Sequence, residues 1–262
     1  MTKKIGFDHS QGSRLVHRDV CILTPLHRWR SGLTPLNPHL LPAPPPKRRE
    51  KHHPHLWYLP HQLWASSVVN TAFEQREVSQ TEEKKAIAEA VADYIPDGST
   101  IFITIGTTVE HVARALLNHN HLRIITNSLR VAHILYHNPR FEVMVPGGTL
   151  RSHNSGIIGP SAASFVADFR ADYLVTSVGA IESDGALMEF DVNEANVVKT
   201  MMAHARNILL VADHTKYHAS AAVEIGNVAQ VTALFTDELP PAALKSRLQD
   251  SQIEIILPQE DA

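Results

Sequence analysis

The chain has 262 residues, of which 44% are hydrophobic and 19% charged, a composition typical of a globular protein with one large domain or two small ones. It holds no apolar run near the roughly 18–20 residues that cross a bilayer, and no apolar segment follows its N-terminal lysines as a secretory signal requires. The single cysteine, Cys21, excludes an internal disulfide and fits a reducing compartment, and the net charge of -3 favours no class of partner. We therefore expect a cytoplasmic protein that makes no contact with membranes.

Residues 1–65 differ in composition from the rest of the chain. They hold 10 Lys and Arg against 3 Asp and Glu, a net charge of +7, whereas the remainder holds 14 against 24, a net charge of -10. Nine of the 16 prolines lie in this segment and exclude a long helix or a central strand. We expect a disordered tail that binds nothing specific; a basic arm for nucleic acid or a membrane surface is the alternative. The sequence thus divides into an irregular segment, 1–65, and a folded domain, 66–262.

From residue 66 onward, apolar strands alternate with amphipathic helices. Ser79-Gln80-Thr81-Glu82 has the pattern of a capping box, which predicts that a helix begins at this point. The next predicted elements are a strand over residues 100–103 and a helix over residues 109–117. Further strands are predicted over residues 122–126, 141–145, 172–177, 208–212, 231–235 and 253–257, and further helices over residues 129–136, 162–169, 194–205 and 242–249. Alternation at this spacing predicts an α/β fold with a mostly parallel sheet and helices on both of its faces.

The first strand-to-helix loop has the composition of a phosphate-binding turn. Ligands of open α/β sheets bind beyond the carboxyl ends of the strands, and Gly106, Thr107 and Thr108 lie between the first predicted strand and its helix. Gly106 allows a ligand to approach the backbone, the hydroxyls can donate hydrogen bonds, and the helix N-terminus offers free N–H groups and a partial positive charge. The same residues also fit an ordinary helix cap, so the sequence leaves both interpretations open.

Polar residues and glycines also follow the next two strands. Thr126 and Asn127 end the second strand and could contact a ligand or cap the next helix. Gly147 and Gly148 end the third, where adjacent glycines indicate a bend or a close approach, and Arg151 adds a partner for an anion. A simple turn with a surface arginine is the alternative for this loop. The glycines that continue to residue 159 indicate a mobile lid over the site.

Charged residues near two later strands complete the candidate set. Glu189 and Glu194 concentrate negative charge that ligand hydroxyls could satisfy, and Lys199 follows in the next predicted helix. Asp213 and Lys216 lie at the carboxyl edge of the following strand, where Lys216 could hold an anion. Either lysine could instead be an ordinary solvated side chain.

These residues form no recognised catalytic or metal-binding motif. The histidines within residues 52–55 and the pair His214 and His218 lack cysteine or carboxylate partners at zinc-binding spacing. The chain has no G-x-S-x-G serine and no G-x-G-x-x-G dinucleotide motif, and Cys21 lies in the irregular segment. We therefore predict a protein that is not an enzyme, with no catalytic residue, no metal site and no cofactor.

Six segments in order resemble the effector-sensing domain of the DeoR family of bacterial transcriptional regulators, over about residues 66–258. These segments are SQTEEKKAIAEAVADYIPDGSTIFITIGTT, IITNS, VPGGTLR, GIIGP, SVGAIESDGALMEFDVNEANVVKTMM and LLVADHTKY. The resemblance implies a sugar-phosphate sensor with a fold related to ribose-5-phosphate isomerase-like proteins. It also implies a homo-oligomer whose affinity for operator DNA is set by a small phosphorylated metabolite, for which we expect glycerol 3-phosphate.

The resemblance also assigns positions to the candidate residues. Gly106, Thr107 and Thr108 match the family's phosphate loop. The remaining matching pocket positions are Thr126, Asn127, Gly147, Gly148, Glu189, Glu194, Lys199, Asp213 and Lys216. With Arg151, which its own loop suggests, these residues form the predicted effector-binding set.

The chain departs from the family pattern at two places. Family members commonly have aspartate two residues before the loop glycine, whereas this chain has Thr104, which affects ligand preference and removes a general base that isomerase chemistry would need. The family begins with a winged helix-turn-helix, and nothing in residues 1–65 resembles one. We therefore expect out-of-frame translation or a mis-assigned start upstream of a normal sensor, with the DNA-binding domain missing from this chain. The alternative function is an isomerase-like enzyme that uses the same pocket for a sugar phosphate.

Overall fold

The computed structural model of the chain describes Arg76 and residues 78–258. The division at residue 65 and the irregular segment expected before it lie outside the described residues and stay predictions. Within the described part, no helix combines the length and the apolar character needed to cross a membrane.

The elements of the described residues include six α-helices and twelve strands. The helices are α1 (Thr81–Tyr94), α2 (Thr107–Ala115), α3 (Leu129–Leu135), α4 (Pro160–Ala167), α5 (Val192–His204) and α6 (Ala242–Asp250). The strands are β1 (Thr100–Ile103), β2 (Arg123–Thr126), β3 (Glu142–Met144), β4 (Thr149–Leu150), β5 (Ile157–Ile158), β6 (Ala171–Thr176), β7 (Ala180–Ile181), β8 (Ala186–Glu189), β9 (Ala205–Val211), β10 (Val223–Asn227), β11 (Ala233–Phe235) and β12 (Glu254–Ile256). Each predicted helix and strand coincides with one of these elements, with ends that differ by a few residues.

Seven strands form one parallel sheet in the order β12-β11-β9-β6-β1-β2-β3. Successive side chains of a strand point to opposite faces of a sheet. Phe102 accordingly packs in the core with α4, α5 and α6, whereas Ile101 and Ile103 pack in the core with α1, α2 and α3. All three are fully buried, and burial of side chains of this size contributes about 1.5–3 kcal/mol each. The predicted α/β fold, with a mostly parallel sheet and helices on both faces, is confirmed.

The predicted capping box at Ser79 is wrong, although α1 does begin nearby. Gln80 occupies the N-cap position in the left-handed conformation, with a φ of 52°, and among the described residues no side chain caps the helix. Ser79 lies outside the helix, and its hydroxyl donates to the carbonyl oxygen of Arg76 at 3.3 Å. The buried ammonium of Lys84 donates to the carbonyl oxygens of Arg76 and Ser79. This lysine, rather than a capping box, therefore holds the chain that precedes α1.

Two small antiparallel units lie outside the sequence predictions. Strands β4 and β5 pair with each other, and β7, β8 and β10 form a three-stranded sheet. These strands are two to five residues long, and none of them is among the strands predicted from the sequence.

The glycine-rich stretch in which we expected a lid contains β5 and packs on the rest of the domain. The amide of Ile157 donates to the carbonyl oxygen of Asn127 at 2.7 Å. A Cβ atom on Gly156 would lie 2.2 Å from Ile105 Cδ1. A side chain at position 156 would require Ile105 to move, so the stretch rests directly on the residue that precedes Gly106.

Candidate functional site

The loops that follow β1, β6 and β9 meet at the carboxyl edge of the sheet. These strands are neighbours and run parallel, so the loops at their carboxyl ends lie side by side. Together with the β4–β5 connection and the start of α5, they enclose a hollow. Its lining consists of Arg76, Ile105, Gly106, Thr107, Thr108, Arg151, His153, Asn154, Ser177, Val178, Gly179, Glu189, Phe190, Asp191, Glu194 and Lys216.

The hollow is small and adjoins a larger cavity. Its volume is about 40 Å³, which holds about three water molecules at roughly 10–15 Å³ each. The adjoining cavity has a volume of about 530 Å³. The residues that line both spaces are Arg76, Thr107, Gly179, Phe190 and Lys216. These residues therefore form the boundary between the two spaces.

Gly106 gives the β1–α2 loop an unusual conformation at the N-terminus of α2, beside the hollow. It has a φ of 155° and a ψ of 150°, a region that residues with a side chain rarely adopt. Among the described residues no side chain caps α2. The first backbone hydrogen bond of the helix runs from the amide of Glu110 to the carbonyl oxygen of Gly106 at 3.0 Å. The amides of Thr107, Thr108 and Val109 come before Glu110 in the chain. Together with the helix dipole they favour an anion at this end of α2.

Three carboxyl groups, those of Glu189, Asp191 and Glu194, also line the hollow. Arg151 Nη1 donates to Glu194 Oε2 at 2.9 Å and lies 3.5 Å from Asp191 Oδ1. Asn154 Nδ2 donates to the same Glu194 oxygen at 3.2 Å. The arginine and the asparagine thus hold the Glu194 carboxylate in one orientation beside the hollow.

Burial disfavours ionisation of the two glutamates. Desolvation raises the pKa of Glu189 to about 8, and the nearby charge of Glu194 adds to the effect. Burial also raises the pKa of Glu194, and the positive charge of Arg151 partly offsets that rise. At neutral pH, Glu189 is therefore largely protonated and can donate as well as accept a hydrogen bond.

Three cationic side chains, those of Arg76, Lys84 and Lys216, line the larger cavity. Lys216 lies in the short 3-10 helix His214–Tyr217, which Asp213 caps by accepting a hydrogen bond from the Thr215 amide at 3.1 Å. Burial lowers the pKa of Lys216 and of Lys84, because an ammonium group loses hydration in the interior. An anion beside these groups would stabilise their charged forms.

Most of the predicted site residues lie around these two spaces. Those that line the hollow are Gly106, Thr107, Thr108, Arg151, Glu189, Glu194 and Lys216. Asp213 lines the adjoining cavity together with Thr107 and Lys216. Residues far apart in the sequence are thus brought to one place by the order of the central strands.

Thr126 and Asn127 do not line the hollow. Both are fully buried, Thr126 Oγ1 accepts a hydrogen bond from the Ser128 amide at 3.0 Å, and Asn127 Nδ2 donates to the Ile157 carbonyl oxygen at 3.3 Å. Neither caps α3, since that position belongs to Ser128, whose hydroxyl accepts from the Val131 amide at 3.2 Å. Their strand, β2, is separated from β6 by β1, which places them away from the loop that follows β6.

Gly147, Gly148 and Lys199 also lie outside the lining. A Cβ atom on Gly148 would lie 2.8 Å from the carbonyl oxygen of Ile158, whereas one on Gly147 would have nothing within 4 Å. Gly148 thus permits close packing of the β4–β5 hairpin. Lys199 is exposed on α5; it lies five residues after Glu194, which places it on a different face of the helix from the carboxylate beside the hollow.

Several lining residues are absent from the sequence predictions. Ser177 and Gly179 follow β6, so the rule that ligands bind beyond strand ends could have identified them. Asn154 and Arg76 carry no comparable signal, because neither follows a strand of the main sheet. Thr104, where family members have aspartate, is buried, and its hydroxyl donates to Thr176 Oγ1 at 3.2 Å.

One group of side chains in the described part of the chain has the composition of a metal site. His214, Asp237 and Glu238 have ligand atoms within 4.8 Å of one another. His214 Nδ1 contacts Asp237 Oδ2 at 2.5 Å, and neither acid lines the hollow or the adjoining cavity. The contact between His214 and Asp237 therefore links the loops that follow β9 and β11.

Comparison with known proteins identifies related sequences and a distantly similar fold. Ribose 5-phosphate isomerase A from Neisseria gonorrhoeae has a TM-score of 0.38 at 14% identity, over 53% of this chain and 54% of that chain. The glycerol-3-phosphate regulon repressor of Escherichia coli (strain K12) is 44% identical over 192 residues, which cover 73% of this chain and 76% of that protein. The Haemophilus influenzae protein of the same name is 38% identical, over 73% and 74% of the two chains.

The family described as "DeoR C terminal sensor domain" matches residues 79–238. This range contains both the parallel sheet up to β11 and every residue that lines the hollow except Arg76. The chain therefore belongs to the DeoR family of transcriptional regulators, with residues 79–238 as its sensor domain.

Proposed function

We propose that the hollow and the adjoining cavity form the effector site of a DeoR-type transcriptional repressor, and that the effector is a small phosphorylated polyol, glycerol 3-phosphate. The observation that carries this proposal is a set of amide and cationic donors that shares one small space with carboxyl groups. A phosphate group requires the donors, and hydroxyl groups can pair with the carboxyl oxygens.

The boundary between the two spaces supports phosphate binding. Thr107 and Lys216 line both spaces, so a phosphate placed there would receive hydrogen bonds from backbone amides, a hydroxyl and an ammonium group. Hydrogen bonds to charged groups contribute about 1.5–3 kcal/mol each. The phosphate would also stabilise the ammonium of Lys216, whose pKa burial lowers.

The carboxyl groups support recognition of hydroxyls. Glu194 is fixed by Arg151 and Asn154, which leaves its carboxylate as a positioned acceptor. Glu189, largely protonated at neutral pH because burial raises its pKa, can donate to one hydroxyl oxygen and accept from another. A ligand with a phosphate and adjacent hydroxyls satisfies both ends of the site, whereas inorganic phosphate satisfies only one.

The relatives support glycerol 3-phosphate among such ligands. Two similar proteins, from Escherichia coli and Haemophilus influenzae, are named glycerol-3-phosphate regulon repressors.

Repression would follow from linkage between two ligands. If effector and operator DNA favour different arrangements of the protein, each lowers the affinity for the other by the same factor. A homo-oligomer in the cytoplasm, as the family resemblance implies, would display such coupling. That coupling needs a DNA-binding segment, and nothing in residues 1–65 resembles the family's winged helix-turn-helix. If they act only as a basic arm, affinity will fall steeply with salt and show little sequence preference.

Calorimetric titration of the full chain with glycerol 3-phosphate tests the effector. We expect binding by the wild-type protein and an affinity at least tenfold lower for Lys216→Gln, a loss of about 1.4 kcal/mol. Lys199→Gln is the matched control, because Lys199 is exposed and lines neither space. Glycerol and inorganic phosphate, titrated separately, should each bind more weakly than the phosphorylated polyol.

Two results would reject the proposal. Absence of binding to the wild-type protein at millimolar glycerol 3-phosphate would reject this effector. A loss of affinity in Lys199→Gln but not in Lys216→Gln would place the phosphate elsewhere on the protein.

A further inference from the structure

Arg76 lies between the two spaces although it precedes the sensor domain's first helix. It lines both the hollow and the larger cavity, and it is five residues before Thr81, where α1 begins. The other residues that line the hollow come from strand ends, the β4–β5 connection and the start of α5. Arg76 instead belongs to the pre-α1 segment, which we define as Arg76 and residues 78–80.

Hydrogen bonds from a buried side chain of α1 hold the backbone of the pre-α1 segment. Lys84 is only 2% exposed, and its ammonium donates to the carbonyl oxygens of Arg76 and Ser79. The Ser79 hydroxyl donates to the same Arg76 carbonyl oxygen at 3.3 Å. Two donors therefore converge on the main chain of Arg76, while its side chain reaches the hollow.

The guanidinium of Arg76 acts on charged groups of both kinds in the site. Its positive charge lowers the pKa of Glu189 and of Glu194, and it also lowers the pKa of Lys216. Arg76 thus lies close enough to influence the carboxyl groups and the lysine of the same hollow. An arginine remains charged at all accessible pH values, and its planar fork of donors matches a phosphate.

We infer that Arg76 is a phosphate-binding residue of the effector site, and that through it occupancy of the site controls the position of the pre-α1 segment. This inference rests on the proposed function. Three cationic groups, Arg76, Lys84 and Lys216, line one cavity together with a single acidic residue, Asp213. A phosphate in that cavity adds negative charge and receives hydrogen bonds from Arg76, so the ligand favours the arrangement in which the pre-α1 segment is held against α1.

The consequence is a direct route from the ligand to the chain N-terminal of the sensor domain. A ligand can shift a conformational equilibrium only by its differential interaction with the two states. Contacts with Gly106 or Glu194 alone supply no such difference for the pre-α1 segment, because those residues belong to the β1–α2 loop and to α5. Arg76 supplies this differential interaction, because its side chain lines the site and its carbonyl oxygen accepts a hydrogen bond from Lys84.

The inference is tested with the full chain and the variant Arg76→Gln, which removes the charge and keeps a polar side chain. Arg247→Gln, on the exposed face of α6, is the matched control. Calorimetry with glycerol 3-phosphate should show affinity at least tenfold lower for Arg76→Gln and unchanged for Arg247→Gln. Hydrogen exchange at the amides of residues 78–84 should slow when the ligand binds to the wild-type protein. At equal saturation, this slowing should be reduced in Arg76→Gln.

The outcomes separate this inference from the proposed function. If the wild-type protein binds glycerol 3-phosphate and Arg76→Gln binds it within twofold, Arg76 is not a phosphate contact and the inference is overturned while the effector assignment stands. If the wild-type protein does not bind, both fail. If binding leaves exchange at residues 78–84 unchanged, the coupling is refuted. Thermal melting checks that Arg76→Gln folds. If it does not fold, Arg76→Lys replaces it, because lysine keeps the positive charge but lacks the planar set of guanidinium donors. We expect Arg76→Lys to bind glycerol 3-phosphate more weakly than the wild type.

Discussion

Arg151 Nη1 donates to Glu194 Oε2 over 2.9 Å and so joins the β4–β5 connection to the first turn of α5. Both side chains are largely shielded, with 18% and 12% of their surfaces exposed. Asp191 lies within 3.5 Å of the same guanidinium nitrogen and also caps α5 by accepting from the amides of Asn193 and Glu194. One arginine therefore both neutralises and orients the acidic side of the proposed effector site.

We predict that Arg151→Gln destabilises the fold by about 1–3 kcal/mol, because it leaves a shielded carboxylate without its charge partner. Urea unfolding monitored by circular dichroism measures the difference. Arg123→Gln is the control: Arg123 pairs with Glu142 at 2.8 Å, but more than half of each side chain is exposed, and exposed pairs contribute about 0–1 kcal/mol. Equal losses in the two variants would show that the shielding of Arg151 has no energetic consequence.

We predict that Gly156→Ala costs about 1–3 kcal/mol of stability through overpacking. Its Cβ atom would lie 2.2 Å from Ile105 Cδ1, next to Gly106 of the proposed effector site, so ligand affinity should fall as well. Gly147→Ala, in the same region of the chain with nothing within 4 Å of the new atom, should change stability by less than about 0.5 kcal/mol.

Ile105→Val provides a sharper test of the same contact, because it removes the Cδ1 atom that the new methyl group would meet. In a double-mutant cycle, Gly156→Ala should cost less in the Ile105→Val background than in the wild type. Strictly additive losses would mean that the damage from Gly156→Ala arises elsewhere.

The sequence was sufficient for the fold class but not for the strand order or the full membership of the site. Apolar runs such as residues 100–103 identify buried parallel strands, and their order along the chain predicts the α/β class. The order of strands within the sheet is not readable from such runs. Strand β6 lies between β1 and β9, whereas β2 lies on the other side of β1. Ser177, which follows β6, therefore lines the hollow, and Asn127, which follows β2, is buried in the interior.

The remaining omissions have a similar cause. Arg76 precedes a helix and follows no predicted strand, so no rule about strand ends could select it. Lys199 was selected by its charge, but the helical repeat directs Glu194, not Lys199, toward the hollow. Glu189 was selected for negative charge, whereas burial raises its pKa and makes it largely neutral at pH 7.

We predict that Glu189→Gln reduces the loss of stability that occurs as the pH rises. The pKa of Glu189 in the folded protein is about 8, above its ordinary value of 4.5. The folded state therefore holds a proton that the unfolded state has released, and stability falls as the pH rises from about 4.5 through 8. Between pH 5 and pH 9 the free energy of unfolding should fall by at least about 1.4 kcal/mol less in the variant than in the wild type. Urea unfolding at each pH measures this difference. Parallel pH profiles would indicate that Glu189 ionises normally.

We predict that the stabilising effect of His214 disappears at high pH. The hydrogen bond to Asp237 raises the pKa of His214 above its ordinary value of 6.5, and the charges of Asp237, Glu238 and Asp213 act in the same direction. For a group whose folded pKa is raised, the stabilisation is complete below the unfolded pKa and is lost as the pH rises through the folded one. His214→Gln should therefore destabilise the protein more at pH 6 than at pH 9, measured by thermal unfolding.

Asp237→Asn provides the matched partner for this prediction, because it removes the acceptor and leaves His214 in place. If the ion pair is responsible, the double variant should lose little more than either single variant at pH 6. The pair also has a functional consequence, since His214 and Lys216 share the short 3-10 helix after β9. Loss of the pair should loosen that helix and weaken binding of glycerol 3-phosphate above neutral pH. Binding constants that change equally between pH 6 and pH 9 in the wild-type protein and in His214→Gln would show that the position of Lys216 does not depend on His214.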